Sequence, residues 1–399
     1  MPPAAAGGGV ATRPGPRFLS VPLDRRRFLI LVGGATAYAA LKPYAALARK
    51  AGSTLPPLQP WSLPDRAPDG EIEIARALIG AAVLAPSHWN TQPWRFEVEG
   101  PLIRLLGDPR RALPITDPEQ RAMRLSLGAA LENLLVAARA WGLRPTVTYR
   151  PQGEPSGAVA EVAWTAGEPP RDRALFHAIV ERRTNRREYD GRGLFRENRA
   201  ALSVQVPQDL RLHWIDDREQ VRAIGQLAHD AVHEQVMDRR AQAERFAWMR
   251  FDDDARARAD GISVAALALG GPAKWLAGRY FNPRSWFLGQ GAGSLGKRTR
   301  DGVRSAGALA LLTVPARREE SWIVGGQVYE RFALKATQLG IAHQPISAPI
   351  EQERFRPELL RRFGADGEDP LMFVRLGHAD QPRGTERRAV ALVASFRKA

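Results

Sequence analysis

The sequence predicts an α+β fold made of two fused lobes. An apolar helical pattern over residues 72–84 precedes an alternating hairpin pattern over residues 95–98 and 102–106. Further on, residues 326–341 match residues 128–143 without a gap. A long match at one offset indicates internal duplication. Each lobe is therefore expected to carry its own central helix and its own strands.

Composition is that of a globular protein, with 44% hydrophobic and 25% charged residues in a chain of 399. The absence of cysteine excludes disulfides, thiolate metal sites and a cysteine nucleophile. Lysine and arginine exceed the acids by 58 to 43, a net charge of +15. Because acidic residues are interspersed, we interpret this charge as an arginine-rich surface plus a few arginines for a phosphate. No nucleic-acid partner is expected.

The N-terminal region has the pattern of an export signal. Arg25 and Arg26 stand directly before an apolar stretch that ends at Leu41, and Ala46-Leu47-Ala48 fits a cleavage site. We predict a twin-arginine signal peptide over residues 1–48. The alternatives are an ordinary secretory signal or a short anchor.

This signal predicts a periplasmic or extracytoplasmic protein, with the twin-arginine export machinery as a partner. Membrane contact is expected only through the signal peptide. Residues 49–70, which are rich in proline, are expected to form a linker.

The first lobe is assigned to residues 71–172. After the hairpin, Asp117 is expected to cap a helix over residues 118–141 that ends at Gly142. Strands are predicted at residues 146–149 and 158–165.

The second lobe is assigned to residues 173–399. Residues 210–216 are interpreted as the counterpart of the first-lobe strand at residues 102–108. Residues 229–251 are expected to be helical. An inserted helical segment at about residues 240–300 is either a lid or a scaffold. Further strands are predicted at residues 306–314 and 371–376.

The chain is organised around the loop at residues 85–96, which we call the central loop. It lies between the first helix and the hairpin, and two prolines enclose several polar side chains. Pro-Ser-x-x-Asn-x-Gln-Pro-Trp at residues 86–94 resembles the flavin-contacting loop of the FMN-dependent nitroreductase family. The resemblance extends to the internally duplicated, lid-bearing branch of that family. The loop residues that it implies for flavin contact are Pro86, Ser87, His88, Asn90 and Gln92.

A second motif resembles the phosphate grip of the same family, Arg182-Arg183-Thr184-Asn185-Arg186. The resemblance implies that Arg182, Arg183, Thr184 and Arg186 bind FMN, with Arg186 near the pyrimidine end of the ring. Arg387 and Arg388 lie where the family completes its grip on the phosphate.

The turn at residues 344–348 stands where the family donates a backbone hydrogen bond to flavin N5. The resemblance therefore implies contacts from Pro345, Ile346 and Ser347, with the N5 contact made by the backbone of Ile346 and Ser347. Here Ser347-Ala348 replaces the Glu-Gly of the family. No side chain is assigned a catalytic role.

Each lobe retains a different half of this site. The first lobe has the central loop without an Arg-Arg-Thr-x-Arg motif, and the second has that motif without an Asn-x-Gln-Pro-Trp loop. We therefore expect a monomeric pseudo-dimer with one FMN, in a nitroreductase-like fold with mixed, mostly antiparallel sheets.

Two other patterns are set aside. Gly291, Gly293 and Gly296 match a dinucleotide fingerprint and a near Walker A motif, but Arg298 stands where Ser or Thr is needed, so a flexible hinge is preferred. His229 and His233 have zinc-ligand spacing without a clear third ligand, so no metal site is predicted.

The leading function is an exported FMN oxidoreductase that passes electrons to nitro or quinone acceptors. The alternative is a protein that sequesters FMN without efficient turnover. A third class, an interaction module with no cofactor, leaves the two complementary motifs unexplained.

Overall fold

The computed structural model describes residues 61–149, 157–250, 257–263 and 288–397. The chain divides into Met1–Pro56 and Pro57–Ala399, and every described residue belongs to the second unit. The predicted twin-arginine signal at residues 1–48 lies outside the described residues. In the part of the chain that the structure describes, no helix is long and apolar enough to cross a membrane.

The described chain combines helices with mostly antiparallel sheets, so the α+β class is confirmed. In chain order the elements are α1 Glu71–Ala82, β1 Trp94–Glu99, β2 Leu102–Gly107, α2 Arg121–Ala140, β3 Leu143–Tyr149, β4 Ala158–Ala166, α3 Ala174–Glu181, α4 Arg196–Ser203, β5 Arg211–Ile215, α5 Arg218–Met237, α6 Arg239–Ala247, β6 Met249–Arg250, β7 Ile262–Ser263, α7 Leu288–Arg304, β8 Ala308–Val314, α8 Glu319–Gln338, β9 Ala342–Pro345, α9 Ala348–Glu351, α10 Arg356–Phe363, β10 Asp369–Gly377 and β11 Ala394–Arg397. Short 3₁₀ turns lie at His88–Asn90, Pro109–Arg111 and Val390–Leu392.

Two sheets share the order of four strands. The first has the strand order β11-β1-β2-β4-β3 and the second has the order β5-β8-β10-β9. Apart from β11, which pairs in parallel with β1, all neighbours in these two sheets are antiparallel. The prediction of mixed, mostly antiparallel sheets is confirmed.

The shared order corrects one sequence assignment. Residues 210–216 were matched to the strand at 102–108, but β5 takes the place of β1, and β8 takes the place of β2. In the first sheet β1 and β2 are joined by a tight turn in which Gly100 has φ +54°. In the second sheet residues 216–307 separate the strands at the same two positions.

The long helices α2 and α8 pack against each other between the sheets. A methyl group on Gly128 would lie 2.0 Å from the carbonyl oxygen of Ile323, and one on Gly326 would lie 2.1 Å from that of Leu125. The offset that relates Gly128 to Gly326 also relates Leu125 to Ile323. The contact is therefore reciprocal, as at an interface between two copies of one element.

Two predicted helices differ from the structure. Helix α2 begins at Arg121 and not at residue 118, because Gln120 adopts a left-handed φ of 58°. The Asp117 carboxylate still caps it, accepting from the amides of Ala122 (3.0 Å) and Met123 (2.9 Å). The predicted helix at 229–251 is two helices, and the side chain of Asp238 caps the second.

The glycine-rich stretch predicted as a flexible hinge is helical. Gly291, Gly293 and Gly296 all lie inside α7. A Cβ on Gly296 would lie 2.9 Å from the ring of His229, so this glycine permits close packing of α7 on α5. Nor do these glycines form the strand-to-helix turn of a nucleotide-binding loop.

Candidate functional site

The central loop is held in a strained conformation. Trp89, Asn90 and Gln92 have positive φ values of 50°, 53° and 50°, which non-glycine residues rarely adopt. The amide of Gln92 donates to Ser87 Oγ (2.9 Å), and that of His88 donates to Ser126 Oγ (3.2 Å). Strain that surrounding hydrogen bonds maintain is often found at ligand sites.

The side chains of Asn90 and Gln92 are buried and bind other parts of the chain. Asn90 Nδ2 donates to the carbonyl of Gly261 (2.8 Å), and Gln92 Nε2 donates to that of Ala259 (2.7 Å). We call residues 257–263 the strap, since this part of the insertion lies across the loop. The structure thus gives both amides a protein partner, and their contact with a flavin stays a prediction.

The start of the loop lies beside the turn that was predicted to face flavin N5. Pro86, Ser87 and His88 are partly buried. His88 Nε2 lies 3.2 Å from Glu351 Oε1, in the short helix α9 that directly follows the turn. The structure therefore brings these two predicted site segments together.

Within that turn, the two predicted amide donors differ. Pro345 ends β9, and the amide of Ile346 donates to the carbonyl of Phe373 (2.8 Å). The amide of Ser347 has no backbone acceptor in the part of the chain that the structure describes. The prediction for N5 therefore narrows from two amides to that of Ser347.

Arg182 lies beside a buried acidic side chain. Its side chain is 2% exposed, and its Nε lies 3.2 Å from Glu330 Oε1. Its Nη2 donates to the carbonyl of Leu84, directly before the central loop (3.4 Å). Burial raises the pKa of Glu330 to about 7, against the opposing effect of Arg182. Arg182 therefore joins the two halves of the predicted site.

Arg183 and Arg387 enclose a tryptophan of the predicted linker. Their Cζ atoms lie 4.1 and 5.0 Å from the ring centroid of Trp61. Trp61 Nε1 also donates to the carbonyl of Thr385 (3.0 Å). Burial and the charge of Arg182 lower the pKa of Arg183 to about 10.

Arg387 and Arg388 bind the central loop. Arg387 donates to Asn90 Oδ1 (3.0 Å) and to the carbonyl of Ala85 (3.1 Å). The amide of Arg388 donates to Gln92 Oε1 (2.8 Å). Burial lowers the pKa of Arg387 to about 9 and that of Arg388 to about 10. The predicted role of this pair in phosphate binding stays a prediction, since these donors are engaged here.

Arg186 differs from the other predicted arginines. It is partly buried, and within the described residues its guanidinium forms no hydrogen bond or ion pair. Burial lowers its pKa, and the charges of Arg375 and Arg182 act in the same direction. Neighbouring Thr184 forms an isolated backbone β-bridge with His343 on β9. Strand β9 leads into the turn at residues 345–347. An unpaired cation in this position suits an anionic ligand.

Sequence reasoning missed several buried groups here. The Arg182–Arg186 segment is surrounded by Arg375 on β10 and Glu330 on α8. It also lies beside a contact of 3.4 Å between Tyr329 and His343. Burial lowers the pKa of His343 to about 3. The gap-free repeat contained one usable signal, because it aligns Glu330 with Glu132, and both are fully buried.

The histidine pair lies on one helix face as its spacing predicts. The rings of His229 and His233 are stacked with centroids 6.0 Å apart. Across the described ranges, no group of three or more His, Cys, Asp or Glu side chains could hold a metal ion.

Comparison with known proteins places the chain near nitroreductases. No protein-family model matches it. It is 27% identical over 336 residues to a Mycobacterium tuberculosis protein named "putative NAD(P)H nitroreductase", covering 82% of this chain and 92% of the relative.

Two solved nitroreductases overlap with part of the structure. One is the FMN-dependent nitroreductase NfnB of Mycobacterium smegmatis in complex with NADPH, with a TM-score of 0.33, 18% identity and coverage of 52% of this chain and 88% of that one. The other is a Bacteroides fragilis nitroreductase with bound FMN, with a TM-score of 0.31, 14% identity and coverage of 54% and 92%. By sequence, the similarity to nitroreductase-type proteins spans most of the chain.

Proposed function

We propose that the protein is an FMN-dependent oxidoreductase of the nitroreductase type. The observation that carries the proposal is the unpaired, partly buried guanidinium of Arg186. The segment of Arg186 is bonded to β9 through the amide of Asn185, which donates to the carbonyl of His343 (3.0 Å). The similarity in sequence to a protein named as an NAD(P)H nitroreductase supports the same function.

The residues fit the chemical demands of FMN. Its phosphate and its reduced ring are anionic, and Arg186 provides a cation without a competing acid. Thr184 adds a partly buried hydroxyl on the same segment. The Ser347 amide supplies a donor at the start of α9. When bound, FMN supplies hydride transfer at N5 and onward electron transfer to a nitro or quinone acceptor.

The protein's own contribution is orientation and exclusion of water. The central loop is fixed by its strained turn and by Arg387 and Arg388. The strap and α6 lie over it: Glu244 accepts from the amides of Ile115 (2.9 Å) and Thr116 (2.8 Å), and Arg245 lies 5.2 Å from the ring of Trp89. These contacts cover the first-lobe half of the site with chain from the second lobe.

The strap also favours a second candidate, sequestration of FMN without efficient turnover. The carbonyls of Ala259 and Gly261 engage the amide side chains of the central loop, so access to the site is coupled to movement of the strap. Gated access of this kind can limit turnover. Slow reduction of the bound flavin by an electron donor, together with little turnover of nitroaromatic compounds, would distinguish this candidate from a reductase.

We also propose that the chain is a monomeric pseudo-dimer with one FMN, exported by the twin-arginine route to the periplasm or another extracytoplasmic location. The shared strand order of the two sheets and the reciprocal Gly128–Gly326 contact support the duplication. The assignment of residues 71–172 and 173–399 to two lobes stays a prediction, and β11, which falls in the second range, pairs with β1 of the first sheet. Export rests on the motif around Arg25 and Arg26 alone.

The test is an absorbance spectrum and an FMN titration of the purified protein. We expect a flavin spectrum and one FMN per chain. Arg186→Ala should weaken FMN binding about tenfold or more, because a hydrogen bond to a charged group contributes about 1.5–3 kcal/mol. The control is Arg317→Ala, which removes an exposed pair with Glu119 (2.6 Å) and should leave affinity unchanged. A protein that binds no FMN, even after reconstitution, contradicts the proposal.

A further inference from the structure

Arg375 is a buried arginine whose bonds are all to neutral groups. It lies on β10 and is 1% exposed. Its Nε donates to Gln344 Oε1 (2.7 Å) and its Nη1 to the carbonyl of Gly302 (2.7 Å). Within the described residues it forms no ion pair. Burying a cation without a negatively charged partner costs free energy, so the position of Arg375 calls for a functional reason.

The remaining donor of Arg375 holds the backbone on both sides of Arg186. Nη2 donates to the carbonyl of Asn185 (3.2 Å) and to the carbonyl of Arg187 (2.7 Å). The guanidinium also stacks on Tyr189, with Cζ 4.0 Å from the ring centroid. The phenol of Tyr189 donates to the same Asn185 carbonyl (2.9 Å). Arg375 therefore clamps the backbone before and after Arg186, at the Asn185–Arg186 and Arg187–Glu188 peptide groups.

We propose that Arg375 is a positioning residue that directs the side chain of Arg186 toward an anionic group of the flavin. The inference rests on the proposed function, since it takes FMN as the ligand. That anionic group is either the phosphate or the reduced ring. Arginine suits the task because its planar fork reaches several carbonyls at once, whereas the single ammonium of lysine does not. The Gly302 contact extends the clamp to α7, the last helix of the insertion.

The experiment compares two readouts in the full chain. Affinity for oxidised FMN relative to riboflavin reports contact with the phosphate. The two-electron midpoint potential of bound FMN reports contact with the reduced ring. Arg186→Ala is measured first and defines which readout the cation controls.

Arg375→Lys should then change that same readout. We expect about a tenfold loss of FMN preference over riboflavin, or about tenfold weaker binding of reduced relative to oxidised FMN, which is a shift of about −30 mV. The double variant should show no further loss, because the clamp acts only through Arg186. The matched control is Arg218→Lys. Arg218 donates in the same way to the carbonyls of Arg304 and Ala306 (both 2.7 Å), and it should leave both readouts unchanged.

A gentler variant covers the case in which Arg375→Lys does not fold. A Cβ on Gly302 would lie 3.3 Å from Arg375 Cζ, so Gly302→Ala should displace the guanidinium slightly and give a smaller change of the same sign. If Arg186→Ala changes a readout and neither clamp variant does, the positioning role is refuted while FMN binding by Arg186 stands. If Arg186→Ala changes neither readout, the assignment of Arg186 in the proposed function fails, and the positioning role fails with it.

Discussion

Replacing Gly326 with alanine tests whether the two lobes meet as copies of one element. A Cβ at this position would lie 2.1 Å from the carbonyl oxygen of Leu125 and 2.8 Å from its carbonyl carbon. Both are backbone atoms of α2, so the clash cannot be relieved by a change of side-chain rotamer. The helices must separate, and they do so at the centre of the contact between the lobes.

The cost should be that of overpacking a tight core, about 1–3 kcal/mol. In a chain of this size that lowers the melting temperature by about 2–4 °C for each kcal/mol. Because the contact is reciprocal, Gly128→Ala should cost a similar amount. The double variant should cost less than the sum, since helices that have already separated have room for the second methyl group.

Urea unfolding followed by circular dichroism measures these changes. The matched control is Gly80→Ala in α1, where a Cβ would meet nothing within 4 Å. There alanine should stabilise the protein by about 0.4–1 kcal/mol. A Gly326→Ala protein as stable as the Gly80→Ala control would refute the close crossing. Losses at Gly128 and Gly326 that add in full would refute the shared contact.

Four further predictions follow from other parts of the chain. Replacing Arg25 and Arg26 by lysine should leave the protein inside the cell, and cell fractionation showing normal export would refute the twin-arginine assignment. Burial raises the pKa of Glu330 to about 7, so the contribution of Glu330 to stability is lost as pH rises from about 4.5 to about 7. The difference in unfolding free energy between wild type and Glu330→Gln should therefore change between these two pH values and stay constant above about pH 7. The opposite trend is expected from His343, whose pKa is lowered to about 3, so that its contribution is lost as pH falls from about 6.5 to about 3; the stability of a His343→Gln variant relative to wild type across that pH range checks this. Glu244→Ala should loosen α6 and the strap and speed reduction of bound FMN by NADPH in anaerobic stopped-flow, whereas unchanged rates would make the insertion a scaffold.

Local patterns predicted the elements of the fold well. The apolar period of α1 and the hairpin of β1 and β2 depend on neighbouring residues, so the sequence shows them directly. The sequence assignment that matched β5 to β2, and not to β1, had a different cause. Strand order depends on long-range pairing, and the insertion hid the fact that β5 and β8 occupy the positions of a hairpin.

The site was predictable where a motif is continuous and unpredictable where distant residues meet. The motif at 182–186 lies close to the motif at 86–94, since Arg182 donates to the carbonyl of Leu84, two residues before Pro86. No local pattern shows that Arg182 is matched by Glu330, which is 148 positions away in sequence, or that Arg375 holds the flanks of Arg186. Such contacts arise only from the packing of α8 and β10 beside the segment.

The charges around the Arg182–Arg186 segment support the proposal of an anionic ligand. Burial lowers the pKa of Arg186, Arg375 and Arg387, which means that each of these cations loses hydration without full compensation. Glu330 offsets part of this cost, but its own pKa is raised to about 7, so the acid is partly protonated at neutral pH. A dianionic phosphate or an anionic ring supplies the missing negative charge without requiring a second buried acid. The proposal therefore predicts that an anionic ligand binds the folded chain in preference to the unfolded one, so that stability increases when the ligand is added.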